Sequence, residues 1–146
     1  MSGSPRAALY SPAMLALAVE LADFPFDPAA PLQGQARSRT CGSTIALSAD
    51  CDSEARLFGI GMRVSACAVG QASAAIFARE AREMGIGEVG SVLHELGSWL
   101  EGKAPSSILP RLELLEPARP HKGRHEAILL PWRAALDALS KAESAR

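Results

Sequence analysis

The feature that most constrains this chain is a change of period in its hydrophobic pattern near Ala66. From Ser43 to Ala49, Ile45 and Leu47 fall two residues apart, and from Arg56 to Val64 so do Phe58, Ile60, Met62 and Val64. A spacing of two puts each set on one face of an extended strand. Between them Asp50-Cys51-Asp52-Ser53 supplies turn-forming side chains, which predicts an antiparallel hairpin with Cys51 at its tip. Beyond Ala66 the step becomes three or four, through Val69, Ala72, Ser73, Ile76, Phe77 and Glu80, until Gly85 and Gly87 stop the run. This is a helix, and Cys67 lies at its start. Strands first and helices after predict an α+β domain, a short antiparallel sheet of two or three strands with helices packed on one face.

The remaining segments fit around that unit. Ser11-Pro12 places a cap and a first-turn proline ahead of Met14, Leu15, Ala18, Val19 and Ala22, a helix whose stripe is read as core. Pro25, Pro28 and Pro31 forbid more helix, so Gln33 to Arg39 is an edge strand or an extended loop. Further helices are predicted over Glu88–Glu101, burying Val89, Val92, Leu93, Leu96, Trp99 and Leu100, and over Ser107–Glu116, between Pro105 and Pro117. The last runs from Arg124 to about Lys141, kinked or restarted by Pro131. With 48% hydrophobic but only 5% aromatic residues, small aliphatic side chains must fill the core, which brings helices close together.

At 146 residues the chain, 1–146, is expected to be one domain. A net charge of -1 provides no global field for nucleic acid or an anionic membrane, so neither is expected as a partner. Three cysteines argue against a disulfide framework, and the apolar stretch from Met14 to Leu21 is too short and too acidic at Glu20 for a secretory signal; a cytoplasmic setting is expected.

Two of the cysteines attract chemical interest. Cys41 stands in Arg39-Thr40-Cys41-Gly42-Ser43 directly before a strand, where Gly42 lets the backbone turn its N–H groups toward a thiolate. Cys67 sits where the partial positive charge and unpaired N–H groups of a helix start favour thiolate over thiol. One precedes the hairpin and the other follows it, so the two should be neighbours, with Cys51 well over ~10 Å away at the far end.

Cys-Gly, a hairpin, Cys at a helix start followed by Gly70-Gln71-Ala72-Ser73-Ala74-Ala75, and a late helix containing Arg124 and Leu130-Pro131-Trp132 together resemble the U-type iron–sulfur scaffold family, the IscU, NifU N-terminal and SufU proteins. The resemblance covers nearly the whole chain. It implies a non-enzymatic iron–sulfur cluster assembly protein that binds a transient 2Fe-2S cluster, iron or zinc and works with a cysteine desulfurase and recipient apo-proteins. It makes Cys41 and Cys67 the metal ligands and Gly42, Ser43 and Arg124 their supporting residues. This chain departs from the family pattern at two ligand positions: Ser43 replaces an aspartate and Ala127 a third cysteine. Two protein ligands leave a tetrahedral ion or a cluster short. His125 or Glu126, flanking Ala127, is the candidate for the missing third ligand, with His121 nearby. Residues two apart on a helix point about 200° apart, so His125 serves only if the helix begins or bends there.

Two other readings stay open. A protein of the SufE kind needs one reactive cysteine to relay a persulfide sulfur, and the helix start makes Cys67 the expected nucleophile. A non-catalytic family member would keep the fold as a protein-binding module. His94 reads as a surface residue, and Arg119, Lys122 and Arg124 form a local basic patch for an acidic partner. Hydrolase, nucleotide-binding and zinc-peptidase motifs are absent from the sequence.

Overall fold

In the computed structural model, which describes residues 10–144, the change of period becomes the boundary between sheet and helices. Three strands form the sheet: β1 (Leu32–Arg37), β2 (Thr44–Cys51) and β3 (Leu57–Ser65), antiparallel in the order β1-β2-β3. The Gln33–Arg39 segment is therefore an edge strand. Rows Ala36–Ile45–Val64 and Gly34–Leu47–Met62 share one face. A Cβ on Gly34 would strike the Ala134 carbonyl and Ala138, so this is the face that receives the last helix.

Among the described residues four α-helices precede or follow the sheet: α1 (Pro12–Val19), α2 (Ala68–Glu80), α3 (Ile86–Leu100) and α4 (His125–Ser144). Ser11 caps α1 by accepting from Met14 N at 3.1 Å, and a short 3-10 turn, Glu20–Asp23, ends it. α2 packs against α1, α4 and β3, and α4 lies across β1 and β2 with α3 beside it. Phe77 of α2 meets Trp132 of α4 edge to face, with ring centroids 4.9 Å apart, among the alanines of both helices. Pro131 cannot donate to the carbonyl a turn before it, yet α4 continues through it without restarting. Ser73 of α2 donates its hydroxyl to the Ile128 carbonyl at 2.7 Å beside that interruption.

The structure corrects several details of the sequence reading. Cys51 ends β2, paired with Leu57, and the turn itself is Asp52–Arg56. The helix expected over Ser107–Glu116 is instead two 3-10 segments, Ser106–Ile108 and Leu112–Ala118. Pro110 forces Leu109 into an extended conformation, and Arg111 then takes a left-handed φ of 65°. On α1, Leu17 is buried with Met14 and Ala18, whereas Leu15 and Val19 are 43% and 73% exposed, so only part of the expected stripe is core.

Both edges of the sheet are partly covered by other parts of the chain. Along β1, Asp137 Oδ2 accepts from Gln35 N at 2.9 Å and Lys141 Nζ lies 3.4 Å from the Gln33 carbonyl. Along β3, Met62 N donates to Phe24 O, Leu57 N to Met84 O, and Glu83 N to Leu57 O. Among the described residues no helix is long and apolar enough to cross a membrane.

Candidate functional site

The two cysteines meet at one end of the sheet. Arg37, Thr44 and Ser65 lie side by side across the three strands, the loop Ser38–Ser43 closes β1 onto β2, and β3 runs out through Ala66 into α2. Cys41 therefore stands on the loop, and Cys67, as the N-cap of α2, stands beside it across Ser65. Both line one pocket of about 270 Å³ with Gly42, Ser43, Ser65, Ala66 and Arg124. Gly42 has a φ of 72°, a conformation a side chain would strain, so the glycine is what lets the loop turn.

Cys41 is exposed, yet its sulfur is hydrogen-bonded. As a thiol it donates to Ser38 Oγ at 3.2 Å, and Ser43 Oγ lies 3.0 Å away, placed to donate once the sulfur is ionised. The Ser38 hydroxyl first, and Ser43 after it, hold the Cys41 thiol below its ordinary value, against opposing effects of burial and the Glu126 charge. Ser38 itself is buried, and its Oγ also accepts from the backbone N–H groups of Thr40 and Cys41, each at 3.2 Å. Sequence reasoning missed Ser38; the signal was the hydroxyl-rich run Ser38-Arg39-Thr40-Cys41-Gly42-Ser43. Cys67 is half-buried, makes no capping hydrogen bond, and packs in part against the core while lining the pocket.

The residues expected to complete a ligand set are placed differently from one another. α4 does begin at His125, as a ligand role would require, but the ring turns the other way. His125 Nε2 lies 2.6 Å from the Arg119 carbonyl, and the side chain lines a separate pocket with exposed His94 on α3. His121 is exposed on the preceding turn. Glu126 points toward the cysteine loop, where Arg39 N donates to its Oε1 at 2.8 Å. That N–H holds the Glu126 carboxyl below the usual range, with burial opposing and the Ser38 hydroxyl adding to it. Ala127 is buried, its methyl group directed at Gly70 of α2.

Arg124 reaches the pocket and approaches Tyr10 Oη at 3.5 Å. Arg119 does not join it in a free basic patch: its guanidinium pairs with Glu116 at 2.8 Å and lies over the Trp99 ring. Cys51 lines a different cavity, with Asp50, Gln33 and Lys141. Among the described residues no group of three or more His, Cys, Asp or Glu is arranged to hold a metal ion. Two thiols and a carboxylate already bonded to backbone do not make a closed four-ligand site.

The sequence matches no protein-family model and no curated protein. Its fold has clear counterparts among solved structures. It is similar to the N-terminal part of a nitrogen-fixing NifU-like protein from Brucella abortus, with a TM-score of 0.82 and 23% identity over 98% of this chain and 100% of that one. It is similar also to a candidate iron–sulfur cluster assembly scaffold protein for the SUF system from Fervidobacterium islandicum AW-1, with a TM-score of 0.79 and 19% identity over 94% and 99%. The three-stranded antiparallel sheet with helices on one face thus has a NifU-like fold, and this chain carries its cysteines at the loop before β2 and the start of α2.

Proposed function

We propose that this protein takes part in iron–sulfur cluster assembly, receiving iron and sulfide, or a 2Fe-2S cluster, as cargo at Cys41 and Cys67. The observation that carries this reading is the convergence of both cysteines on one pocket at the open end of the sheet. The likeness of fold to a NifU-like protein and a SUF-system scaffold candidate supports it. Two thiolates are soft ligands suited to iron and zinc. Ser43 and Ala127 stand where the resemblance calls for ligands, so the remaining coordination comes from sulfide, from Glu126 after it leaves Arg39 N, or from a partner. A cysteine desulfurase as sulfur donor and apo-proteins as recipients follow from this role. Anaerobic reconstitution with iron and sulfide tests it. The wild-type protein is expected to retain iron and visible absorption after desalting; equal retention by a Cys41→Ala, Cys67→Ala double variant sinks the proposal.

A second reading, sulfur relay, is favoured by the hydroxyls around Cys41. They make Cys41, rather than the helix-start Cys67, the proposed nucleophile. A Cys41 thiolate attacks the outer sulfur of a donor persulfide, the donor cysteine leaves as thiolate, and Cys41 carries the new S–S bond. Mass spectrometry after exposure to a desulfurase and cysteine reads this as a gain of about 32 Da on the Cys41 peptide. A gain confined to another peptide overturns the assignment.

A further inference from the structure

The face of the sheet turned away from the helices is divided in two. The row Gln33–Ser48–Gly61 is covered by the segment after α1: Asp27 N donates to Ser48 Oγ at 2.9 Å, and a Cβ on Gly61 would strike the Pro25 carbonyl. The rows Gln35–Ala46–Arg63 and Arg37–Thr44–Ser65 are bare and line a shallow cavity of about 510 Å³.

This bare half is basic and has no internal neutraliser. Among the described residues no carboxylate lines it. Among the same residues Arg56, Arg79, Arg111 and Arg119 have a carboxylate oxygen within 4.0 Å, whereas Arg37 and Arg63, like Arg39, Arg82, Arg124 and Arg133 elsewhere, enter no such pair. Arg63 is also held in place, its guanidinium 4.5 Å from the centroid of the Phe26 ring, so little side-chain freedom remains to be lost on binding. Ser65 belongs both to this cavity and to the pocket of Cys41 and Cys67, so the two adjoin there.

We infer that the bare half of the sheet is a docking surface for an extended acidic segment of a partner protein, one that brings the partner's reacting group to the cysteine pocket. Naming that partner as the sulfur or cluster exchange partner rests on the function proposed above; the charge of the segment does not. Arg37 and Arg63 lie two strands apart and two residues offset, which separates their Cα atoms by roughly 12 Å. Carboxylates four residues apart on an extended chain repeat at about 13.5 Å on one side and match that span. Thr44, Ser65 and Gln35 offer donors and acceptors to the backbone between them.

The test uses a fluorescent synthetic peptide with aspartate at alternate positions separated by serine, its lysine counterpart, and inorganic phosphate as a competitor. Anisotropy titration of the full chain is expected to show binding of the acidic peptide only, weakening steeply with salt as the Debye length shrinks. An Arg37→Ala, Arg63→Ala variant should lose at least about tenfold in affinity. A Lys103→Ala, Lys122→Ala variant, which removes the same charge elsewhere, should bind like wild type, as should the Cys41→Ala, Cys67→Ala variant. Amide shifts in NMR should concentrate on Arg37, Thr44, Ala46 and Ser65. Equal loss in both charge variants, binding of the lysine peptide, or full displacement by equimolar phosphate overturns the inference. Because the cysteine variant keeps this surface, failure here and failure of cluster loading are read independently.

Discussion

The two ends of the β2–β3 hairpin carry the same kinds of residue and use them in opposite ways. At the Asp52 end the polar groups are consumed by the turn itself: Asp52 Oδ1 accepts from the N–H groups of Glu54 and Arg56, both at 2.9 Å, and Oδ2 pairs with the Arg56 guanidinium at 2.8 Å. Those partners, the Arg56 N–H first, hold the Asp52 carboxyl below its usual range. At the Cys41 end the loop's own hydrogen bonds are made by buried Ser38, and both cysteines line a pocket. The lesson is that a turn becomes a site when something other than its reactive side chain closes it.

The sharpest way to break this contrast is to exchange cysteines. Cys41→Ser or Cys67→Ser is expected to lower iron retained after reconstitution by at least about tenfold, whereas Cys51→Ser, at the closed end, should match wild type. Metal analysis after desalting decides it. Next in size, Gly42→Ala should cost about 1–2 kcal/mol in urea unfolding, because its φ of 72° is strained for any L side chain. Ser38→Ala leaves the Thr40 and Cys41 N–H groups without their acceptor, and about 1 kcal/mol of lost stability is expected in the same assay. Asp52→Ala should speed amide exchange at Glu54 and Arg56 and leave iron loading unchanged.

The smallest effect lies away from both ends. Glu20 accepts from Arg111 at 2.8 Å and from Arg79 at 3.1 Å, and these partners, Arg111 first, lower its pKa below 4.5. A lowered carboxyl contributes stability that is present above its unfolded pKa and lost as pH falls through its folded one. The wild-type advantage over Glu20→Gln should thus be about 0.5 kcal/mol or less near pH 7, given solvent screening, and shrink as pH falls below the ordinary carboxylate range through the lowered pKa.

Much of the fold is legible in the order of the amino acids, because a period of two or of 3.6 is a statement about faces. The alternation through Ile45, Leu47, Met62 and Val64 locates β2 and β3, and the step of three and four from Val69 locates α2, with Cys67 at its cap. α1 is harder: Pro-Ala-Met-Leu-Ala-Leu-Ala-Val is apolar all round, so no period can choose Leu17 over Leu15 as the buried residue. The segment around Pro110 loses its helix to a conformational rule that acts on the residue before proline. The pairing of Cys41 with Cys67 follows from antiparallel topology alone. His125 cannot be placed that way, since its direction depends on the Arg119 carbonyl, presented by a 3-10 turn that no side-chain pattern announces.

The partial cover of both sheet edges has a consequence for how the protein behaves at high concentration. An unpaired strand edge is a template onto which another chain can add, and small sheets, with few strands, have proportionately the most edge to defend. Here Asp137 and Lys141 engage the β1 backbone at Gln35 and Gln33, and the chain near Phe24 and Met84 engages that of β3 at Met62 and Leu57. At those positions the groups a further strand would need are already engaged, so edge-to-edge addition to the folded sheet must first displace them.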